Sequence, residues 1–102
     1  MALDIAVRGG HGGWRCHASI SIEVHDEVVQ AAAGRGCVQL LRMRDYWGEV
    51  VEFDTCALRE LAEELAWLRP SLSEAARLEV EGVRAVVSEA IATGQRVHAL
   101  PD

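Results

Sequence analysis

The stretch Trp14 to His25, WRCHASISIEVH, constrains the fold more than any other. Trp14, Cys16, Ala18, Ile20, Ile22 and Val24 alternate with Arg15, His17, Ser19, Ser21, Glu23 and His25 without a break. Unbroken period-2 alternation predicts a half-buried β-strand with an apolar and a polar face. Leu3, Ile5 and Val7 alternate in the same way, so residues 2–8 predict an antiparallel partner strand across the turn Gly9–Gly13. The register follows from the faces. Pairing Arg8 with Trp14 across a five-residue loop would turn Val7, Ile5 and Leu3 toward the partner's polar side. Pairing Val7 with Trp14, Ile5 with Cys16 and Leu3 with Ala18, or a bulge of the same parity, keeps the apolar sets together.

The next segment, 26–36, reads two ways. It is a short helix capped by Asp26 and stopped by Gly34, or a strand running into a glycine-rich turn. Residues 37–44 and 49–54 predict a second hairpin around Asp45-Tyr46-Trp47-Gly48, with Arg44 opposite Glu49 and Leu40 opposite Phe53. Both faces of that hairpin are partly apolar, so its second face requires cover from the chain itself or from another copy. Asp54 caps a predicted helix to about Leu68, carrying the stripe Leu58, Leu61, Leu65 and Leu68, and Pro70 ends it. Ser71-Leu72-Ser73-Glu74 is a capping box for a second helix running to about Thr93 with Gly94 at its C-terminal stop, and Gly82 in its middle is a weak point, costing roughly 1 kcal/mol relative to Ala. Residues 95–100 predict a last strand at the sheet edge. The expectation is one α+β domain over 1–102: an antiparallel meander of four to five strands, with two C-terminal helices packed on one face.

At 102 residues the chain is long enough for one core without metal or disulfide. It has no apolar run long enough to span a membrane and no basic start followed by an apolar block. Its three cysteines, Cys16, Cys37 and Cys56, are odd in number and widely spaced, which suits a reducing cytoplasm. Ten arginines and no lysine suit a GC-rich bacterial genome. Net charge is −6, with ten of the sixteen acids after Val50. That acidity and the lack of a basic patch argue against a nucleic-acid partner.

No motif carries a recognisable chemistry. The GGHGG turn leads into a strand, whereas a phosphate loop leads into a helix. His17 and His25, as strand residues of one face, stand roughly 26 Å apart, too far for one ion. No metal site and no cofactor are expected, and the chain does not read as an enzyme. Cys56, in the first turn of a helix, has the dipole in its favour and Glu52, Asp54 and Glu60 against it. Glu79 falls inside the apolar arc of the second helix, so it requires a partner or a functional reason.

Three functions remain. The leading one is a protein-binding module of the inhibitor or immunity type, which blocks a partner with a basic surface. Its contacts would be Trp67 with Glu60, Glu63 and Glu64, and Tyr46-Trp47 at the hairpin tip. The alternative is a small enzyme or ligand-binding domain whose pocket is lined by Arg15, His17, Ser19, Ser21, Glu23 and Glu79. The third is a structural homodimer through the second apolar face of the 37–54 hairpin.

Overall fold

The computed structural model describes residues 2–8, 13–44 and 50–101. Among these residues four strands form one antiparallel sheet: β1 (Ala2–Arg8), β2 (Trp14–Ser21), β3 (Val51–Phe53) and β4 (Val97–Pro101). Among them too, four α-helices accompany it: α1 (Ile22–Ala33), α2 (Val38–Leu41), α3 (Thr55–Leu68) and α4 (Glu74–Thr93). The class is α+β, as expected.

The strand order is β2-β1-β4-β3, which corrects the meander. The last strand lies in the middle of the sheet, between β1 and β3, and not at its edge. Val97, His98 and Ala99 are all buried, which suits a central strand. Val-His-Ala is too short to reveal that by alternation. The edge falls instead to the three-residue β3, where the Arg42 guanidinium donates to the Glu52 carbonyl (2.7 Å). A short edge strand with a charged side chain on it resists pairing with other chains.

The β1–β2 hairpin starts in the Arg8–Trp14 register and then changes phase through a bulge. Near the turn Arg8 pairs with Trp14, Val7 with Arg15 and Ala6 with Cys16. A bulge then shifts the ladder, so that Ile5 pairs with Ala18 and Leu3 with Ile20. The odd–even parity expected for the core therefore holds from Ile5 to Leu3, with each partner two residues further along β2 than expected. One extra residue of β2, His17, absorbs the change of phase. The alternation Trp14 to Ile20 is thus two half-strands out of step, and not one continuous face.

β2 stops at Ser21, four residues before the expected end, and α1 begins at Ile22. Ser21 has extended backbone angles (φ −66°, ψ 159°), and its Oγ accepts from the Val24 N–H (3.4 Å). It, and not Asp26, is the N-cap. Val24, Val28 and Ala32 recur every four residues and are all buried, so the helical period wins from Val24 onward. Gly34 ends the helix as expected.

The expected strand over 37–44 is overturned: Val38–Leu41 is a single helical turn. Leu40 and Met43, three residues apart, both reach the core, a spacing a strand cannot deliver to one face. The hairpin-based dimer face disappears with the strand. Glu49 and the Tyr46-Trp47 tip lie outside the described residues.

Asp54 caps α3 as expected, its Oδ1 accepting from the Ala57 N–H (2.8 Å), and all four leucines of the stripe are buried. A 3₁₀ turn over Arg69–Ser71 carries Pro70, and the cap of α4 is Ser73, two residues after the expected Ser71. The helix runs unbroken through Gly82 and ends at Gly94, whose left-handed backbone (φ 68°) suits glycine. A Cβ at Gly82 would meet the Ala18 Cβ at 3.8 Å, which places this turn of α4 directly over β2. The core is closed between the helices and the sheet face carrying Leu3, Ile5, Val7, Ile20, Phe53, Val97 and Ala99.

Candidate functional site

An acid already committed to the fold contributes less to a partner. Glu79 on α4 accepts from the backbone N–H of Ser21 (2.6 Å) and from its hydroxyl (3.0 Å). Glu27 on α1 accepts from the backbone N–H of Ser73 (2.6 Å) and from its hydroxyl (2.7 Å). Ser21 is the N-cap of α1 and Ser73 the N-cap of α4. Each helix therefore supplies the acid that completes the other's N-terminus. Within one helix that arrangement is a capping box; here it is exchanged between two helices. Charge-assisted bonds at a positive helix end favour the ionised form. The Glu27 carboxyl accordingly lies below its ordinary range, held there first by the Ser73 N–H and then by the Ser73 hydroxyl. The Glu79 anomaly is thereby explained without an arginine and without a break at Gly82.

A third helix start is served in the same way. α2 has no side-chain cap of its own. Glu64 on α3 accepts from the backbone N–H groups of Gln39 (3.0 Å) and Leu40 (2.8 Å). Glu60, one turn earlier, accepts from the Gln39 side-chain amide (2.8 Å). Beside them Cys37 is buried; burial and then the Glu64 carboxylate push its thiol up, with Arg35 opposing. Cys56 is exposed.

Glu63 lies between these two acids, and its carboxylate is held by no hydrogen bond or ion pair among the described residues. It borders an open depression of about 380 Å³ with Val38, Glu60, Glu64 and Trp67. Trp67 is 56 % exposed and Val38 64 % exposed. The Arg35 guanidinium stands over the Trp67 ring at 5.5 Å from its centroid. The structure thus brings together Trp67, Glu60, Glu63 and Glu64, which were expected on one surface, and adds Val38. Val38 escaped the sequence reading because a strand over 37–44 places it on the same face as buried Leu40.

Of the polar residues expected to line a pocket, those whose side chains are described have separate roles. Ser19 donates to the Asp4 carboxylate (2.6 Å), Ser21 caps α1, and Glu23 is exposed in the first turn of α1. Only Ser21 and Glu79 of the six meet each other among the described contacts. Arg15 and His17 are placed in β2 by their backbone, and their side chains lie outside the described ones. His25 is buried, and its Nε2–H donates to the Met43 carbonyl (2.6 Å).

One further polar depression, about 350 Å³, was not anticipated; Val7, Glu52, Gln95, Arg96 and His98 line it. Glu52 and His98 are cross-strand neighbours on β3 and β4, with His98 Nε2 3.0 Å from Glu52 Oε2, and Arg96 pairs with Oε1 of the same carboxylate. These bonds, His98 first and then Arg96, hold the Glu52 carboxyl below its ordinary value. A general base must present a nitrogen to its substrate. Here Nε2 faces Glu52 and Nδ1 is buried, so the pair is positioned as a cross-strand clamp. Among the described residues no three or more His, Cys, Asp or Glu side chains converge as for a metal ion. No helix there is long and apolar enough to cross a membrane.

No protein-family model, curated protein or solved structure matches the chain.

Proposed function

We propose that the protein is a small binding module of the inhibitor or immunity type, which blocks a partner protein in a bacterial cytoplasm. The docking surface is the α2–α3 face, with Trp67 and Val38 as apolar anchors and Glu63 as the charge offered to a basic partner. One observation carries this reading: a Trp and a Val, each more than half exposed, flank a depression that also holds Glu63, an acid no other described residue engages. Large aromatics in such settings are the residues that dominate binding energy, and a neighbouring carboxylate steers a basic partner and fixes its register.

The test uses the immobilised chain against an extract of its host, with wild type and the double variant Trp67→Ala/Glu63→Arg side by side. The reading predicts a protein retained by the wild type at low salt, released at high salt and lost on the double variant. Equal retention by both would overturn the surface assignment.

A further inference from the structure

The basic surface that this face would accept is present on the chain itself. Val38 is the common wall of two adjoining depressions. The first, toward the start of α2, carries Glu60, Glu63, Glu64 and Trp67. The second, about 290 Å³, carries Leu41, Arg42 and Arg44 at the end of α2. Arg42 is committed: it donates to the Gln39 side-chain oxygen (2.9 Å) and the Glu52 carbonyl, and lies over the Phe53 ring at 4.7 Å. Arg44 is exposed, and its guanidinium has no hydrogen bond or ion pair among the described residues. Among the described residues each depression therefore offers one uncommitted charge, Glu63 in the first and Arg44 in the second, with Val38 as their shared wall.

An apolar centre with opposite charges on its two flanks is self-complementary under a two-fold rotation. Two copies laid with their α2 ridges antiparallel would set acid against arginine twice, whereas a purely acidic patch would repel its own copy. The apolar residues Val38, Leu41 and Trp67 would lie at or beside the axis, with charges at the rim, the usual anatomy of a protein interface. The net charge of −6 on each copy opposes approach at low ionic strength. At physiological salt, with a screening length of about 8 Å, only the local pairs count.

We infer that the α2–α3 face pairs with a second copy of this chain, two ridges antiparallel about Val38, with Glu63 of each copy against Arg44 of the other. The inference rests on the reading of this face as a protein-binding surface, and a second copy seated there would cover the residues that a different basic partner uses.

Sedimentation of the purified chain at physiological salt, over a concentration series reaching millimolar, tests it. The wild type is expected to show a monomer–dimer equilibrium. Arg44→Glu and Glu63→Arg, both on exposed side chains and checked for fold by circular dichroism, should each weaken association about tenfold, because each variant sets like charges together at two contacts. An equimolar mixture of the two variants should recover wild-type association, since in the mixed dimer both contacts again join opposite charges. A wild type that stays monomeric throughout overturns the inference, as does a dimer that neither substitution weakens. If the monomeric chain still retains another basic protein through Trp67, the inference fails while the binding reading stands. If neither a dimer nor a retained protein appears, both fail.

Discussion

Carboxylates at helix N-termini occur in two regions of this molecule and do different things there. Where α1 and α4 meet, both acids are consumed: Glu79 holds Ser21 and Glu27 holds Ser73, so each helix closes the other's first turn. Where α3 meets α2, Glu64 and Glu60 are consumed in the same way, yet Glu63 remains outward between them beside exposed Trp67 and Val38. The acidity of the second half is therefore not a single surface property. Part of it fastens the starts of α1, α2 and α4, and Glu63, which no described residue holds, is the acid of the proposed binding face.

Substitutions should break this contrast in a fixed order of size. The largest effect is expected at Glu79→Ala, which strands the Ser21 N–H and hydroxyl in a part-buried site. It should cost about 2 kcal/mol of unfolding free energy, or roughly 10 °C in a thermal melt of a domain this size. Glu64→Ala removes the acceptor of two α2 N–H groups that water can partly replace, and should cost about 1 kcal/mol in denaturant titration. If it also abolishes partner binding, α2 is shown to be a scaffold for Val38 and not merely a linker.

How far the sequence reveals this division depends on the distance between the residues concerned. The α3 leucine stripe, the Asp54 cap and the Gly94 stop are legible because each is written within one or two turns of local sequence. The alternation from Trp14 is misleading for a physical reason. Ile20, Ile22 and Val24 satisfy a period of two, while Val24, Val28 and Ala32 satisfy a period near four, and Ser21 is the residue at which one gives way to the other. The central place of β4 and the reciprocal caps rest on contacts far apart in sequence; Ser21 and Glu79 are 58 residues apart. A trace of the second device was nonetheless present. Ser21 and Glu27, like Ser73 and Glu79, are a serine followed six residues later by a glutamate, at two helix starts. For the site, Trp67 and the three acids were legible by type, but which acid is uncommitted was not, because that depends on α2 being helical.

Acid titration separates the two regions further. Glu27 is held below its ordinary value of 4.5, so its contribution to stability is fully present above that pH and is lost as pH falls through the lower value in the folded protein. Glu27→Gln should therefore show a shallower loss of stability below pH 4.5 than wild type, read from thermal melts across that range. Glu52, held down by His98 and Arg96, contributes a loss of the same sign in the same region. The smallest effect is expected at the α2–α3 face: Glu63→Ala should change unfolding free energy by less than about 0.5 kcal/mol, since no described residue engages that carboxylate. A large destabilisation there would erase the distinction between the two regions.

Amide hydrogen exchange of the chain, alone and in its complex with a second copy or a captured protein, tests the central claim most directly. The account predicts added protection over residues 38–44 and 60–67, with no change where the first turns of α1 and α4 are clasped. A footprint on the α1–α4 contact or on the sheet face carrying Glu52 and His98, with 38–44 and 60–67 unchanged, would contradict it.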